Sequence, residues 1–271
     1  MTDSTFAFVF PGQGSQSLGM LADIAAAHPS IIDTFAEASA GAGVDLWALA
    51  QQGPEAQLGQ TEFTQPALLA ASIALWRLWQ ARGGAQPAVL SGHSLGEYSA
   101  LVAAGALSLQ DGARLVRLRG QLMQAACPAG VGGMAAVLGA DDALVAEVCQ
   151  QAAQGQVLVP ANFNSPGQIV IGGDAAAVDR ALALLAERGV RKAVKLAVSV
   201  PSHTPLMRDA ADQLAAAIAD VAWQSPALPV VHNVDAAVHQ GTAAISEALV
   251  KQLYLPVQWT GCVQQLADTT A

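Results

Sequence analysis

Residues 88–97 read Ala88-Val89-Leu90-Ser91-Gly92-His93-Ser94-Leu95-Gly96-Glu97, a short apolar run that breaks into a glycine-flanked serine. The run has the length of a strand, and a helix-forming stretch follows it, so the glycines sit at a strand-to-helix turn. A G-x-S-x-G turn in that setting has the form of a nucleophile elbow. Gly92 and Gly96 remove side chains that would collide across the turn, and Ser94 is held out from the sheet edge on a strained backbone. The Leu95 N–H and the helix N-terminus behind it point to where an oxyanion would form. An ordinary strand-to-helix turn with a capping serine satisfies the same pattern.

Outward from this turn the chain repeats the theme. Phe6-Ala7-Phe8-Val9-Phe10 is a short buried strand, and Pro11-Gly12-Gln13-Gly14-Ser15 is a glycine-rich turn. An Ala/Leu/Ile-rich helix follows from about Ser17. Between Pro66 and Gln80, Leu68, Leu69, Ile73, Leu75 and Leu78 fit a buried helix. Strands alternating with helices predict an α/β fold with a parallel sheet covered on both faces, an α/β-hydrolase-like core.

The middle of the chain has another rhythm. Gly133–Leu138 predicts a strand and Asp141–Ala153 a helix. Val157–Phe163 and Gln168–Ile171 predict two strands joined by Asn164-Ser165-Pro166-Gly167. Asp174–Arg188 predicts a helix and Lys192–Val200 a last strand. That β-α-β-β-α-β order is the ferredoxin-like unit. The expected division is therefore a large α/β catalytic domain over 1–129 and 199–271, with a ferredoxin-like subdomain over 130–198 inserted in it.

Composition sets limits on function. The chain is 53% hydrophobic and 12% charged, which suits a filled core rather than disorder. Twelve Lys and Arg stand against 21 Asp and Glu, a net charge of −9, which argues against nucleic-acid or membrane-surface binding. Local basic clusters at Arg114, Arg117 and Arg119 and at Arg188, Arg191 and Lys192 leave room for an acidic partner. Cys127, Cys149 and Cys262 have no metal-like spacing and read as free thiols of a reducing compartment. Asp3 near the start and the lack of a basic leader region argue against a signal peptide, so a cytoplasmic protein is expected.

A serine nucleophile needs a base. Of the five histidines, His28 lies at a helix end, His239 in a polar loop, and His93 inside the elbow, facing elsewhere. His232 in Val230-Val231-His232 reads as a satisfied strand residue. His203 follows the strand ending at Val198-Ser199-Val200-Pro201 and precedes a helix with Pro205 in its first turn. That is a strand's C-terminal edge, where α/β proteins put their chemistry, and a helix N-terminus would keep the ring neutral. A helix-capping histidine would occupy the same place.

One arginine faces the wrong way. Ser108 and Asp111 cap a helix whose apolar side carries Leu115, Leu118 and Leu122. At about 100° per residue, Arg119 falls inside that stripe and Arg117 points nearly opposite. A buried guanidinium is costly unless paired, by an internal acid or by a ligand carboxylate in bidentate geometry. Position leaves both partners open.

These segments together resemble the malonyl-CoA:acyl carrier protein transacylases. Phe10-Pro11-Gly12-Gln13-Gly14-Ser15-Gln16 is similar to the family's N-terminal signature, and Gly92-His93-Ser94-Leu95-Gly96-Glu97 to its nucleophile motif. Arg119-Gly120, Asn162-Phe163-Asn164-Ser165-Pro166-Gly167-Gln168, Pro201-Ser202-His203, Gln252-Leu253 and Pro256-Val257-Gln258-Trp259 follow in the family's order. The resemblance covers essentially the whole chain.

It implies that Ser94 is the acylated nucleophile and His203 its general base and acid. Backbone N–H groups of Gln13 and Leu95 would form the oxyanion hole, and Arg119 would hold the free malonyl carboxylate. The Gln252 main-chain carbonyl would accept from the second imidazole nitrogen, with no acidic third member. Met123 would line the acyl pocket, and Asn162 and Asn164 would face a pantetheine arm. No metal and no permanently bound cofactor are expected. The implied substrates are malonyl-CoA and phosphopantetheinylated acyl carrier protein, and the protein is expected to be a monomer. Family members carry a further strand and helix with a Gly-Pro-Gly turn past the position of Ala271, so the main sheet is expected to be one strand short.

Two other readings compete. A serine esterase or thioesterase of the α/β-hydrolase type would need an acid at a strand end between Ser94 and His203. Asp111, Asp141, Asp142, Glu147, Asp174, Asp179 and Glu187 all read instead as helix or cap positions. An inactive remnant or carrier-docking module would leave Ser94 unmodified by an acyl thioester.

Overall fold

The computed structural model describes residues 5–128, 130–198 and 200–271; Asp3 and Ser199 lie outside the described residues. The chain runs β1 (Ala7–Phe10), α1 (Ala22–Ala27), α2 (Ser30–Ala42), α3 (Leu46–Gln52), α4 (Glu55–Leu58), α5 (Thr61–Ala81), β2 (Val89–Gly92), α6 (Leu95–Ala103) and α7 (Leu109–Ala126). Next come β3 (Gly132–Leu138), α8 (Asp142–Ala153), β4 (Leu158–Ser165), β5 (Gln168–Asp174), α9 (Ala175–Glu187) and β6 (Lys192–Lys195). A 3₁₀ turn at Pro205–Met207 leads into α10 (Arg208–Ala219), β7 (Val230–Val231), α11 (Thr242–Gln252) and α12 (Trp259–Thr270).

Two sheets form. A parallel sheet has the order β1-β2-β7, with Phe10 opposite Gly92 and Ser91 opposite Val231. An antiparallel sheet has the order β4-β5-β3-β6. Each has its own apolar core. Leu69, Leu90, Leu101 and Leu115 belong to the larger, and Val137, Val148, Ile171 and Leu185 to the smaller. The segment after α11 touches both sheets: the Val257 N–H donates to the Ala161 carbonyl and the Phe163 N–H to the Val257 carbonyl on β4, each at 2.9 Å, and the Gln258 N–H donates to the Asn233 carbonyl just past β7 at 2.8 Å. This seam sets Asn162 and Asn164 of β4 beside the mouth of the β2 turn.

Several elements start or stop away from their predicted limits. The first helix begins at Ala22 rather than near Ser17, because Ser17–Leu21 forms turns and Leu21 takes a left-handed φ of 63°. β6 was expected to reach Val200 and ends at Lys195. It is an edge strand whose pairing with β3 runs out at Ala135, and the chain then leaves the sheet. Strands β4 and β5 extend to a two-residue turn, Pro166-Gly167, with Gly167 at a φ of 75°.

Helix α7 carries the arginine. Its N-cap is reciprocal: the Asp111 N–H donates to Ser108 Oγ at 3.0 Å, and that hydroxyl donates to the Asp111 carboxylate at 2.7 Å. The buried stripe runs through Gly112, Leu115, Val116, Arg119, Gly120 and Met123, so Leu118 and Leu122 lie on its flank rather than at its centre. The expected surface cluster of Arg114, Arg117 and Arg119 does not exist. Arg114 pairs with Asp111 at 2.9 Å, Arg117 is drawn to Glu62 at 3.6 Å, and Arg119 points inward. Arg188 is likewise paired, with Glu147 at 3.0 Å.

Gly120 lets α7 lie directly on the first turn of α5, since a Cβ there would meet the Glu62 Cα at 2.6 Å. Gly120→Ala should therefore push these helices apart at a cost of about 1–3 kcal/mol, read as a lowered midpoint in chemical denaturation. An unchanged midpoint would show that the contact yields freely.

Candidate active site

The β2–α6 turn is as tight as its glycines demanded. A Cβ on Gly92 would lie on the Gly96 carbonyl, and one on Gly96 would lie on the Phe10 carbonyl. Ser94 sits between them at φ 52° and ψ −109°, outside the ordinary regions for an L-residue. The Pro11–Gly14 turn presses against this loop, where a Cβ on Gly12 would come within 2.7 Å of the His93 carbonyl oxygen. Asn233 braces the strained turn from the far side. Its side-chain oxygen accepts from the Ser94 N–H at 2.7 Å, and its amide nitrogen donates to the Gly92 carbonyl at 2.8 Å.

Ser94 Oγ lies 2.8 Å from His203 Nε2, although 109 positions separate them in the chain. The other ring nitrogen, Nδ1, lies 2.6 Å from the Gln252 carbonyl oxygen. A carbonyl can only accept, so Nδ1 carries the ring proton and Nε2 presents its lone pair to the serine. Burial, chiefly, and then the Arg119 charge push the His203 pKa down to about 3, against a partial opposing pull from the Gln252 carbonyl. Burial and a cation, rather than the helix N-terminus expected from the sequence, lower it. His203 occupies the turn between Pro201 and Thr204 at a φ of 61°, ahead of a three-residue 3₁₀ turn and well past the end of β6. Its own N–H donates to the Leu253 carbonyl at 3.1 Å, so the end of α11 holds both ring and backbone.

Arg119 is 1% exposed and has no carboxylate within pairing distance among the described residues. Nη1 donates to Gln65 Oε1 at 2.8 Å, while Nη2 donates to Gln252 Oε1 at 3.0 Å and to Ser94 Oγ at 3.1 Å. The Arg119 plane lies 5.7 Å from the Tyr98 ring centre. Burial draws the guanidinium below its ordinary value, and the charges of Tyr98 and Glu97 oppose that. Of the two partners left open by the helix position, the internal acid is absent at contact range.

A cavity of about 390 Å³ opens over these groups, lined by Gln13, Ser94, Leu95, Arg119, Met123 and His203. Leu95 is the first residue of α6, so its N–H has no intrahelical acceptor and is available to a ligand. Gln13 sits on the facing turn, its side-chain oxygen accepting from Thr61 Oγ1 at 2.9 Å. Met123 is buried, with its sulfur 3.5 Å from Gln65 Nε2. Asn162 and Asn164 also line it. His93 was expected to face elsewhere, yet it also lines the cavity and holds Asn164 Oδ1 at 2.8 Å. Its pKa is lowered, mainly by burial.

Several other histidines and acids are engaged elsewhere. His232 meets Glu97 at 2.7 Å with both side chains fully buried, and His239 meets Asp235 at 3.0 Å. Asp111 and Asp141 cap helices, Asp174 accepts from the Val157 N–H at 2.7 Å, and Asp179 and Glu147 pair with Lys195 and Arg188. The second imidazole nitrogen of His203 is committed to a main-chain carbonyl, so none of these acids completes a hydrolase triad there. Sequence reasoning missed Gln65, Asn233 and Glu97. Asn233 and Glu97 left a signal, as polar residues in apolar surroundings.

The acyl transferase domain family matches residues 7–271. The malonyl CoA-acyl carrier protein transacylase of Salmonella typhimurium is 57% identical over 262 residues, 97% of this chain and 85% of that protein. A malonyl-CoA:acyl carrier protein transacylase from Xanthomonas oryzae pv. oryzae has a solved structure similar at a TM-score of 0.98 and 76% identity, covering 100% of this chain and 86% of its own. A malonyl-transacylase solved in complex with its type II PKS acyl-carrier protein is similar at 0.96 and 54% identity, covering 98% and 86%.

The lowered His203 pKa has a definite sign. The folded state resists the proton that an unfolded chain accepts at about 6.5, so the stability this ring contributes is complete above that pH and is lost as pH falls toward about 3. In denaturant unfolding, wild type should lose more stability than His203→Gln between these limits, and parallel slopes would contradict the buried neutral ring.

Proposed function

The chain belongs to the acyl transferase domain family, among its malonyl CoA-acyl carrier protein transacylases, and we propose that Ser94, His203 and Arg119 carry its malonyl transfer. It moves malonyl from malonyl-CoA to the phosphopantetheine thiol of an acyl carrier protein, supplying fatty-acid elongation. The observation that carries the assignment of residues is one convergence. Ser94 Oγ stands 2.8 Å from a neutral imidazole nitrogen and 3.1 Å from a buried guanidinium.

The reaction runs as ping-pong acyl transfer. His203 Nε2 removes the Ser94 hydroxyl proton, and the oxygen attacks the thioester carbonyl. The N–H groups of Leu95 and Gln13 receive the oxyanion. When the C–S bond breaks, the coenzyme A sulfur takes the proton back from Nε2, leaving malonyl-Ser94. The carrier-protein thiol then gives its proton to Nε2 and attacks the ester, and Ser94 regains its hydrogen as the new thioester leaves. Serine, imidazole and guanidinium supply nucleophile, base and recognition, so the reaction as derived needs no resident cofactor or metal.

Arg119 supplies selectivity. Its neutral partners Gln65, Gln252 and Ser94 satisfy hydrogen bonds without neutralising its charge, and the malonyl carboxylate does both. An acetyl group leaves that charge unmatched. Met123 closes the inner end of the pocket, while Asn162 and Asn164 face the pantetheine arm along its wall. The relative solved with its carrier protein supports an acyl carrier protein as acceptor.

The finer architecture follows the same reading. Residues 1–129 and 199–271 form the catalytic domain, and 130–198 a ferredoxin-like subdomain, supported by separate apolar cores and the strand order β4-β5-β3-β6. Likeness to the α/β-hydrolases rests on the elbow of a parallel strand. The esterase alternative is not favoured, because the base is oriented by a main-chain carbonyl and a cationic clamp faces the nucleophile. The proposed setting is the cytoplasm and the proposed state a monomer. Among the described residues no helix is long and apolar enough to cross a membrane.

Intact-mass analysis after exposure to malonyl-CoA should show one malonyl group on wild type and none on Ser94→Ala. A folded wild type left unmodified would remove the catalytic assignment. Arg119→Ala should slow acylation by malonyl-CoA on the order of tenfold to a hundredfold while acetyl-CoA reacts as fast or faster. Parallel loss of both would remove the carboxylate clamp.

A further inference from the structure

Glu97 lies three residues past the nucleophile, is wholly buried, and has no part in the proton transfers above. Its Oε1 faces His232 Nδ1 at 2.7 Å, and its Oε2 accepts from the Asn233 N–H and from Gln252 Nε2, each at 2.9 Å. Gln252 Nε2 also donates to the Ser94 carbonyl at 2.9 Å, while Gln252 Oε1 accepts from Arg119 Nη2 at 3.0 Å. Only one orientation of this amide is tolerable. The flipped form would set its oxygen against a carboxylate and a carbonyl, and its NH₂ against a guanidinium. The amide thus lies between a buried carboxylate and a buried cation, hydrogen end toward the negative group and oxygen end toward the positive one.

We propose that Glu97 is the relayed counter-charge of Arg119, acting through the Gln252 side chain to hold the guanidinium aimed into the acyl pocket. A carboxylate bonded directly to Arg119 would occupy the fork that a substrate carboxylate needs. With no counter-charge at all, this buried guanidinium would stand alone. Placing the acid one amide away supports the cation and leaves its direct partners neutral and displaceable. Glu97 is accordingly a positioning residue for malonyl selectivity. His232 and the Asn233 N–H fix the carboxylate, and Gln252 serves twice: its main-chain carbonyl orients His203 and its side chain orients Arg119.

This inference rests on the reading that Arg119 binds the malonyl carboxylate, and its test separates the two. Rates of Ser94 acylation by malonyl-CoA and acetyl-CoA, followed by quenched-flow intact mass, yield a malonyl-to-acetyl ratio for wild type, Glu97→Gln, Arg119→Ala and the double variant. The ratio should fall roughly tenfold in Glu97→Gln and should not fall further when that change is added to Arg119→Ala. An unchanged ratio in Glu97→Gln, or an equal fall on both backgrounds, overturns the relay. A ratio that Arg119→Ala itself leaves unmoved overturns the carboxylate reading, and the relay with it. Should Glu97→Gln not fold, Gln252→Met cuts the same bridge and keeps the carbonyl facing His203. Its ratio should also fall, and an unmoved ratio overturns the proposal.

Discussion

The contact between Ser94 Oγ and His203 Nε2 at 2.8 Å is the constraint from which the rest of the site follows. A hydroxyl can pass its proton to a neighbouring base only if that base is neutral and aimed at it. The fold meets both conditions. Burial and the neighbouring guanidinium keep the ring uncharged, the Gln252 carbonyl selects its tautomer, and the end of α11 anchors the turn that carries it. The serine is held equally firmly, in a backbone state sustained by two glycines and the Asn233 amide.

The site is unusual in how much cost it concentrates. A left-handed serine, a left-handed histidine and a buried arginine without a direct acid lie within a few ångströms of one another. Each is unfavourable alone. Two chains of hydrogen bonds surround them: Gln65, Thr61 and Gln13 form one, and Gln252, Glu97, His232 and Asn233 another. Both chains end on Arg119, which joins the Gln13 side of the pocket to the Gln252 side through a single side chain.

The two sheets divide the labour. The parallel sheet presents Ser94 at the end of its middle strand, and the antiparallel sheet lends Asn162 and Asn164 to the cavity wall. Val257 pairs with β4 and Gln258 bonds the Asn233 carbonyl just past β7, so the segment after α11 touches both sheets.

Short-range chemistry was legible in the linear chain. The glycine spacing around Ser94, the Ser108 and Asp111 cap, the βαββαβ order and the misplaced Arg119 all depend on neighbours within a turn or a strand, and such interactions leave a periodic trace. The limits of β6, the orientation of His93 and the setting of His203 left none, because edge pairing and packing across the chain decide them. The family resemblance named Gln252 as the partner of His203, but its side-chain role was invisible, as were Gln65 and the Glu97 relay. The Gln252 amide is oriented by groups 133 to 158 positions away, and Glu97, though closer to Arg119 in the chain, reaches it only through that amide. Only the folded arrangement brings those groups within hydrogen-bond reach.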